Sequence, residues 1–305
     1  MSRRQTSEGL RSEALRAALA SALAGRPDAL EELFRRHGDG HGARPNLHLA
    51  DAFGAEMSAT PADVSRLLER LGANDAADDT ADVFLPIAAA YGWVGRLRVD
   101  RDVEPAWAAL LQLAGDERAP VRIGARNALA SLAGRAGGAR ALLARAGDWL
   151  EWHDREVCFG AAGVVVEVFS DRQTLAAVGD PGPLLEFLSR TMALVAGAPR
   201  SAERSDARRR ILLALPPTLA QVAGRLRSGE GDAGWLEEEC RNARHPDVRE
   251  ALSRTIVLLA DKSSGQGAVL AQALRSALEG SAKPPRDPTR RRPGAARGRT
   301  SRPIR

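Results

Sequence analysis

The chain has 305 residues, 44% of them apolar, which is ample for a sizeable core and too apolar for a chain that is disordered throughout. Its formal charge of +5 is unevenly placed: residues 281–305 hold nine basic side chains and one acid, a balance of +8, so the other 280 residues carry −3 and show no basic excess of the kind that grips nucleic acid. The longest uncharged run, the fourteen residues from Ile211 to Gly224, falls short of the roughly 18 apolar residues of a membrane span, and the N-terminus lacks the apolar centre of a secretory signal. Cys158 and Cys240 are the only cysteines, each inside a helical pattern, which excludes a disulfide scaffold. The expected address is the cytoplasm, with no membrane partner. Lys262 and Lys283 stand against 42 arginines, and with abundant Ala and Gly this bias looks like GC-rich coding rather than selection for phosphate contacts.

In chain order, helices are expected over Ser7 to Gly25, Pro27 to His37, Asn46 to Met57 and Pro61 to Gly72, with Asn46 and Thr60 as N-caps. Residues 1–77 thus read as an N-terminal helical cap or degenerate repeats. Beyond them one template recurs, with apolar or small residues at i, i+4, i+7, i+8 and i+11, offsets that fall in one stripe of a helix. Its clearest copy is Val121, Ala125, Ala128, Leu129, Leu132; it returns as Val157, Ala161, Val164, Val165, Val168 and as Val248, Leu252, Thr255, Ile256, Leu259. Looser copies are Val83, Ile87, Ala90, Tyr91, Val94 and Ile211, Leu215, Thr218, Leu219, Val222. The copies start 38, 36, 54 and 37 residues apart, near the roughly 40-residue period of two-helix units. First helices of such units are expected at Pro105 to Ala114, Gly138 to Ala146, Pro183 to Ala196 and Ala233 to Asn242, with turns at Gly115-Asp116, Gly147-Asp148 and His245-Pro246-Asp247. Gly267 to Leu278 reads as a final capping helix closing residues 78–280. From Pro284-Pro285 onward, residues dominated by Pro, Gly, Arg and Ser could not offset their ordering entropy by burial, so 281–305 is expected to be a disordered tail.

Asp116 to Leu132 and His245 to Leu259 resemble the second helix of the HEAT consensus, with Pro and Asp in the turn and a Val-Arg pair opening the helix, here Val121-Arg122 and Val248-Arg249. The other three copies lack that arginine. The resemblance covers about residues 78–262 and implies an all-α, right-handed α-solenoid of about five HEAT-type hairpins, with the N-terminal cap and the basic tail outside it. It also implies that second helices line a concave face that meets partners, which makes Arg122, Arg126, Arg249 and Arg254 candidate partner-binding residues. Against this, the arginine at the Val-Arg place in HEAT repeats commonly bonds the turn aspartate, so Arg122 and Arg249 are expected on Asp116 and Asp247, with Arg126 and Arg254 left as surface groups.

Three further features bear on chemistry. The glycine-rich segment Gly38 to Asn46 resembles, with the Leu-x-Leu and Ala-Phe that follow, a stretch of uncharacterised bacterial HEAT-repeat proteins; it would deliver Arg44 and Asn46 to a helix start where an anion is favoured. His37, His41 and His48 lie close by, yet the intervening glycines break helical spacing and no cysteine is near, so a flexible connection is expected there and no metal site. Trp149, Trp152 and Glu156 resemble weakly the aromatic-acid cluster of HEAT-like alkylpurine DNA glycosylases; the competing reading is structural, with Trp149 closing the core and Glu156 as a first-turn acid. Arg290, Arg291, Arg292, Arg297 and Arg299 of the tail can lie along a polyanion. No phosphate-binding loop, dinucleotide fingerprint, nucleophile elbow or paired CxxC occurs, so no cofactor is expected. The sequence therefore points to a non-catalytic scaffold or adaptor for a protein partner, weakly tethered to nucleic acid or another polyanion by its tail. One alternative is a nucleic-acid-binding solenoid, including a repair glycosylase; a second is a regulatory module acting on another enzyme.

Overall fold

The structure, a computed structural model, describes residues 2–40, 44–152, 155–226, 234–262 and 266–281. Among these the fold is all-α. Four helices, α1 (Ser2–Leu23), α2 (Asp28–His37), α3 (Leu47–Ala59) and α4 (Ser65–Gly72), lead into α5 (Phe84–Leu97) through a 3-10 turn at Ala81–Val83. Then follow α6 (Val103–Ala114), α7 (Ala119–Ala133), α8 (Gly138–Trp152), α9 (Arg155–Val168) and the short α10 (Arg172–Ala176). The chain continues with α11 (Gly182–Ala196), a 3-10 turn at Arg200–Arg204, α12 (Asp206–Arg225), α13 (Gly234–Asn242), α14 (Pro246–Lys262) and α15 (Gln266–Gly280). The tail arginines 290, 291, 292, 297 and 299 lie outside the described residues.

The template stripes are buried. Val121, Ala125, Ala128 and Leu129 on α7, and Ile211, Leu215, Thr218 and Leu219 on α12, are fully buried, and the α14 copy is nearly so. On α9 the same holds from Ala161 onward, while the side chain of Val157 lies outside those described. Only Val83 departs: it sits half-buried in the 3-10 turn, and α5 is buried on all sides from Phe84 to Arg96. The helices that bear the stripes pack in succession, α5 on α7, α7 on α9, α9 on α12 and α12 on α14, and α3 and α15 extend the row at its two ends. α8 and α11 pack on each other beside α9.

Two boundaries differ from expectation for identifiable reasons. Thr60 ends α3 rather than opening α4, because its hydroxyl donates back to the Glu56 carbonyl at 2.7 Å; α4 begins at Ser65, whose N–H donates to Asp63 at 2.9 Å. Gly147-Asp148 is not a turn, for α8 runs through it to Trp152. The longer interval between the third and fourth stripes contains α10 and the second 3-10 turn, neither foreseen. Asn46 does cap α3, accepting from the Leu49 N–H at 3.2 Å.

The N-terminal helices are seated by an aromatic cluster, Phe34 lying edge-on to Phe53 and Phe84 with centroids 5.1 and 5.5 Å away. α3 and α5 then cross so closely that a Cβ on Gly95 would stand 2.2 Å from the Gly54 carbonyl oxygen. Ser58 seals the crossing by donating to the carbonyls of Gly54 and Gly95, at 3.1 and 2.9 Å.

Gly95→Ala is therefore expected to lower stability by about 2 kcal/mol or more, because backbone would have to move, whereas Gly224→Ala, with open space around it, should be neutral or raise stability by up to about 1 kcal/mol. Chemical denaturation of both variants checks this, and equal effects would disprove the close crossing. Val121→Asp places an unpaired carboxylate in the seam and should cost more than about 3 kcal/mol; a wild-type melting temperature would show that the register of α7 is wrong.

Candidate functional site

The arginines of the Val-Arg pairs do not bind the turn aspartates. Arg122 donates to the backbone carbonyls of Asp116, at 2.8 Å, and Glu117, while the Asp116 carboxylate is taken by Arg118 through two bonds of 2.9 and 2.7 Å. Burial raises the Asp116 carboxyl pKa, but the bonds from Arg118 outweigh it and hold the group below its ordinary value. Arg249 donates to the carbonyls of Ala243 and Leu278 and to the Ser281 hydroxyl. Asp247 instead accepts from Arg208 at 2.6 Å, a buried arginine that reaches it from α12. The physical reason is the unpaired carbonyls at turns and helix ends, which a five-donor guanidinium satisfies without a carboxylate.

The remaining candidates separate. Arg126 lies 3.8 Å from Glu167 of α9. Arg254 pairs with Glu250 one turn back at 2.9 Å, both exposed. Asn46 is occupied by its cap and by a second bond, its side-chain amide donating to the His37 carbonyl at 2.9 Å. The two described arms of the Gly38 to Asn46 segment are joined: residues 39–40 pair antiparallel with 44–45, the Asn46 N–H donates to the Gly38 carbonyl, and Gly38 presses so near the Phe84 ring that no Cβ fits; residues 41–43 lie outside the described residues. His41 and the side chain of Arg44 lie outside the described residues, as do those of Trp152 and Glu156. Trp149 is partly buried against the core. No group of three His, Cys, Asp or Glu among the described residues is placed to hold a metal, and no described helix is long and apolar enough to cross a membrane.

A feature absent from the sequence reading is the outer face of the stripe-bearing helices. Ile123 and Leu213 follow the first anchor of their copies by two residues and Val257 follows by nine, so each stands about 180–200° from its anchor, away from the buried stripe. They are 44%, 61% and 51% exposed. The equivalent places on α9, Phe159 and Val166, are fully buried, so α9 is covered there where α7 and α12 are not. Arg122 and Arg210 leave α7 and α12 from opposite flanks, and they are close enough that, after burial, the charge of Arg210 is the next influence lowering the Arg122 pKa, opposed by Asp116, Glu167 and Asp206. The side chain of Arg210 makes no hydrogen bond or ion pair with the described residues. The sequence signal was available: an apolar residue on the polar side of an otherwise regular stripe, in three copies.

Neither cysteine offers a nucleophile. Cys158 is buried and donates to the Trp149 carbonyl at 3.5 Å. Cys240 is pushed up to about 12 by burial, with Glu239 and Glu237 adding to it. Searches of family models, curated proteins and solved structures return no match to this chain.

Both thiols should resist a disulfide reagent in the native protein at pH 8 and react on unfolding; rapid native labelling of Cys240 would refute its burial. Since the folded thiol keeps its proton up to about 12 while the unfolded one loses it from its ordinary value of 9.0, the unfolded state binds fewer protons in that window. Stability should therefore fall as pH rises above about 9, and Cys240→Ser should remove that part of the slope.

Proposed function

We propose that the chain is a HEAT-type α-solenoid scaffold or adaptor that takes a protein partner along the outer face of its stripe-bearing second helices, without catalysis of its own. The observation carrying this reading is the recurrence of exposed Ile123, Leu213 and Val257 at nearly one angular position on α7, α12 and α14, three members of the row of packed helices in which α9 stands between the first two. Scattered surface apolar residues need no explanation, but alignment across repeating elements marks an interaction face. The successive packing of α5, α7, α9, α12 and α14 supports the solenoid. In this reading residues 1–77 form the cap, residues 78–280 the solenoid, and 281–305 a tail giving weak attachment to nucleic acid or other polyanions.

A solenoid should give a radius of gyration in solution X-ray scattering clearly above the roughly 19 Å of a compact chain of this length; a value at that level would rule the architecture out. Partner capture from the native source should be lost in a full-length triple variant, Ile123→Ser, Leu213→Ser and Val257→Ser, that melts like the wild type, and retention of the same partner would sink the face. The full chain should bind duplex DNA weakly at low salt, with a log–log slope of about −0.9 per phosphate neutralised. Changing Arg290, Arg291, Arg292, Arg297 and Arg299 to Gln should abolish that binding, and unchanged affinity would move the polyanion site onto the folded body.

A further inference from the structure

The face over α9 carries more information than its apolar character. Arg126 stands 3.8 Å from Glu167, too far for a hydrogen bond, and Arg209 pairs with Asp206 at 3.0 Å. Among the described residues, Arg122, whose hydrogen bonds go to neutral carbonyls, and Arg210 have no carboxylate within ion-pair distance, although the charges of Asp116, Glu167 and Asp206 also act on Arg122. The two arginines come from α7 and α12, both of which pack on α9. Each has an exposed apolar residue close in sequence, Ile123 beside Arg122 and Leu213 three residues after Arg210.

Leu213 has a second property. Its carbonyl would ordinarily accept from the N–H three or four residues on, but those residues are Pro216 and Pro217, which have none. Within the helix neither usual donor exists, so an exposed apolar side chain stands next to a backbone acceptor without its normal partner. Positive charge at two points, each with an exposed apolar residue close by in sequence, matches a polypeptide bearing carboxylates and aliphatic groups. The chain's own tail, at +8 from residue 281 onward, is repelled by the same arginines.

We propose that this face binds an acidic segment of a protein partner anchored by aliphatic side chains, with its carboxylates on Arg122 and Arg210 and its apolar residues on Ile123 and Leu213. The inference rests on the scaffold reading above and specifies its partner.

The test uses the full chain, with the five tail arginines changed to Gln in parallel, and fluorescence anisotropy of three labelled probes. These are a helical peptide with leucine every third or fourth residue and glutamate elsewhere, polyglutamate of equal charge, and single-stranded DNA of equal charge. The glutamate-leucine peptide should bind tightest. Arg210→Gln and Leu213→Ser, both surface changes, should each weaken it about tenfold, and Leu213→Ser should leave polyglutamate binding unchanged. Arg122→Gln should act likewise, read beside its melting curve because that side chain also holds two carbonyls. Equal binding of polyglutamate or DNA would overturn the inference, as would indifference of the peptide to Arg210→Gln and Leu213→Ser. If those two changes are silent while Val257→Ser still abolishes capture of the native partner, this inference fails and the scaffold reading stands.

Discussion

Guanidinium groups closing the carbonyl ends of helices are the interaction on which the rest of the structure depends. A helix leaves its last four carbonyls without partners, and in a fold built of short helices such ends recur throughout the interior. Buried Arg96 donates to the carbonyls of Thr60 and Met57 at the end of α3 and pairs with Asp102, which holds the left-handed turn into α6. Arg118 reaches the carbonyls of Asn74 and Ala76, Arg208 that of Val195, Arg225 that of Val178, and Arg249 that of Leu278. Each bond joins elements that are separate along the chain, so the arginines set spacing between helices as well as satisfying polar groups. Removing one would strand a carbonyl rather than merely an ion pair, which is the costlier loss.

That interaction also explains where the sequence was legible. The stripes were readable because apolar burial leaves a period in the residues themselves, and four of the five copies place their described anchors in the core. The cap at Asn46 was readable because an N-cap needs a particular side chain. A carbonyl acceptor has no side-chain signature, so the partners of Arg122 and Arg249 were assigned to the nearest acids, which belong instead to Arg118 and Arg208. Thr60 failed for a related reason, since one hydroxyl can accept at a helix start or donate at a helix end. Of the candidate face, Arg122 and Arg126 were visible in the sequence; Arg210, Ile123 and Leu213 needed the register of three helices to be seen together.

The face gains its character from an inequality among similar helices. α5 and α9 are enclosed on nearly all sides, with small residues where neighbours approach: a Cβ on Gly124 would stand 2.7 Å from Ile87, and one on Gly160 would stand 2.6 Å from Gly115. α7 and α12 keep one side in solvent. Enclosed helices can afford no polar outer side, and exposed ones need one, so arginine at Arg122, Arg126, Arg209 and Arg210 is the ordinary solution. Isoleucine and leucine on that same outer side are not.

The packing of each stripe-bearing helix on the next also governs how the chain is made. Of the side-chain hydrogen bonds between separate helices, that from Thr218 on α12 to the Val166 carbonyl on α9 spans 52 residues and that from Gln221 to Ser170 spans 51. A partner is thus never far behind on the growing polypeptide. At a synthesis rate of about 5–20 residues per second, the two ends of such a contact leave the ribosome within roughly 3–10 s of each other.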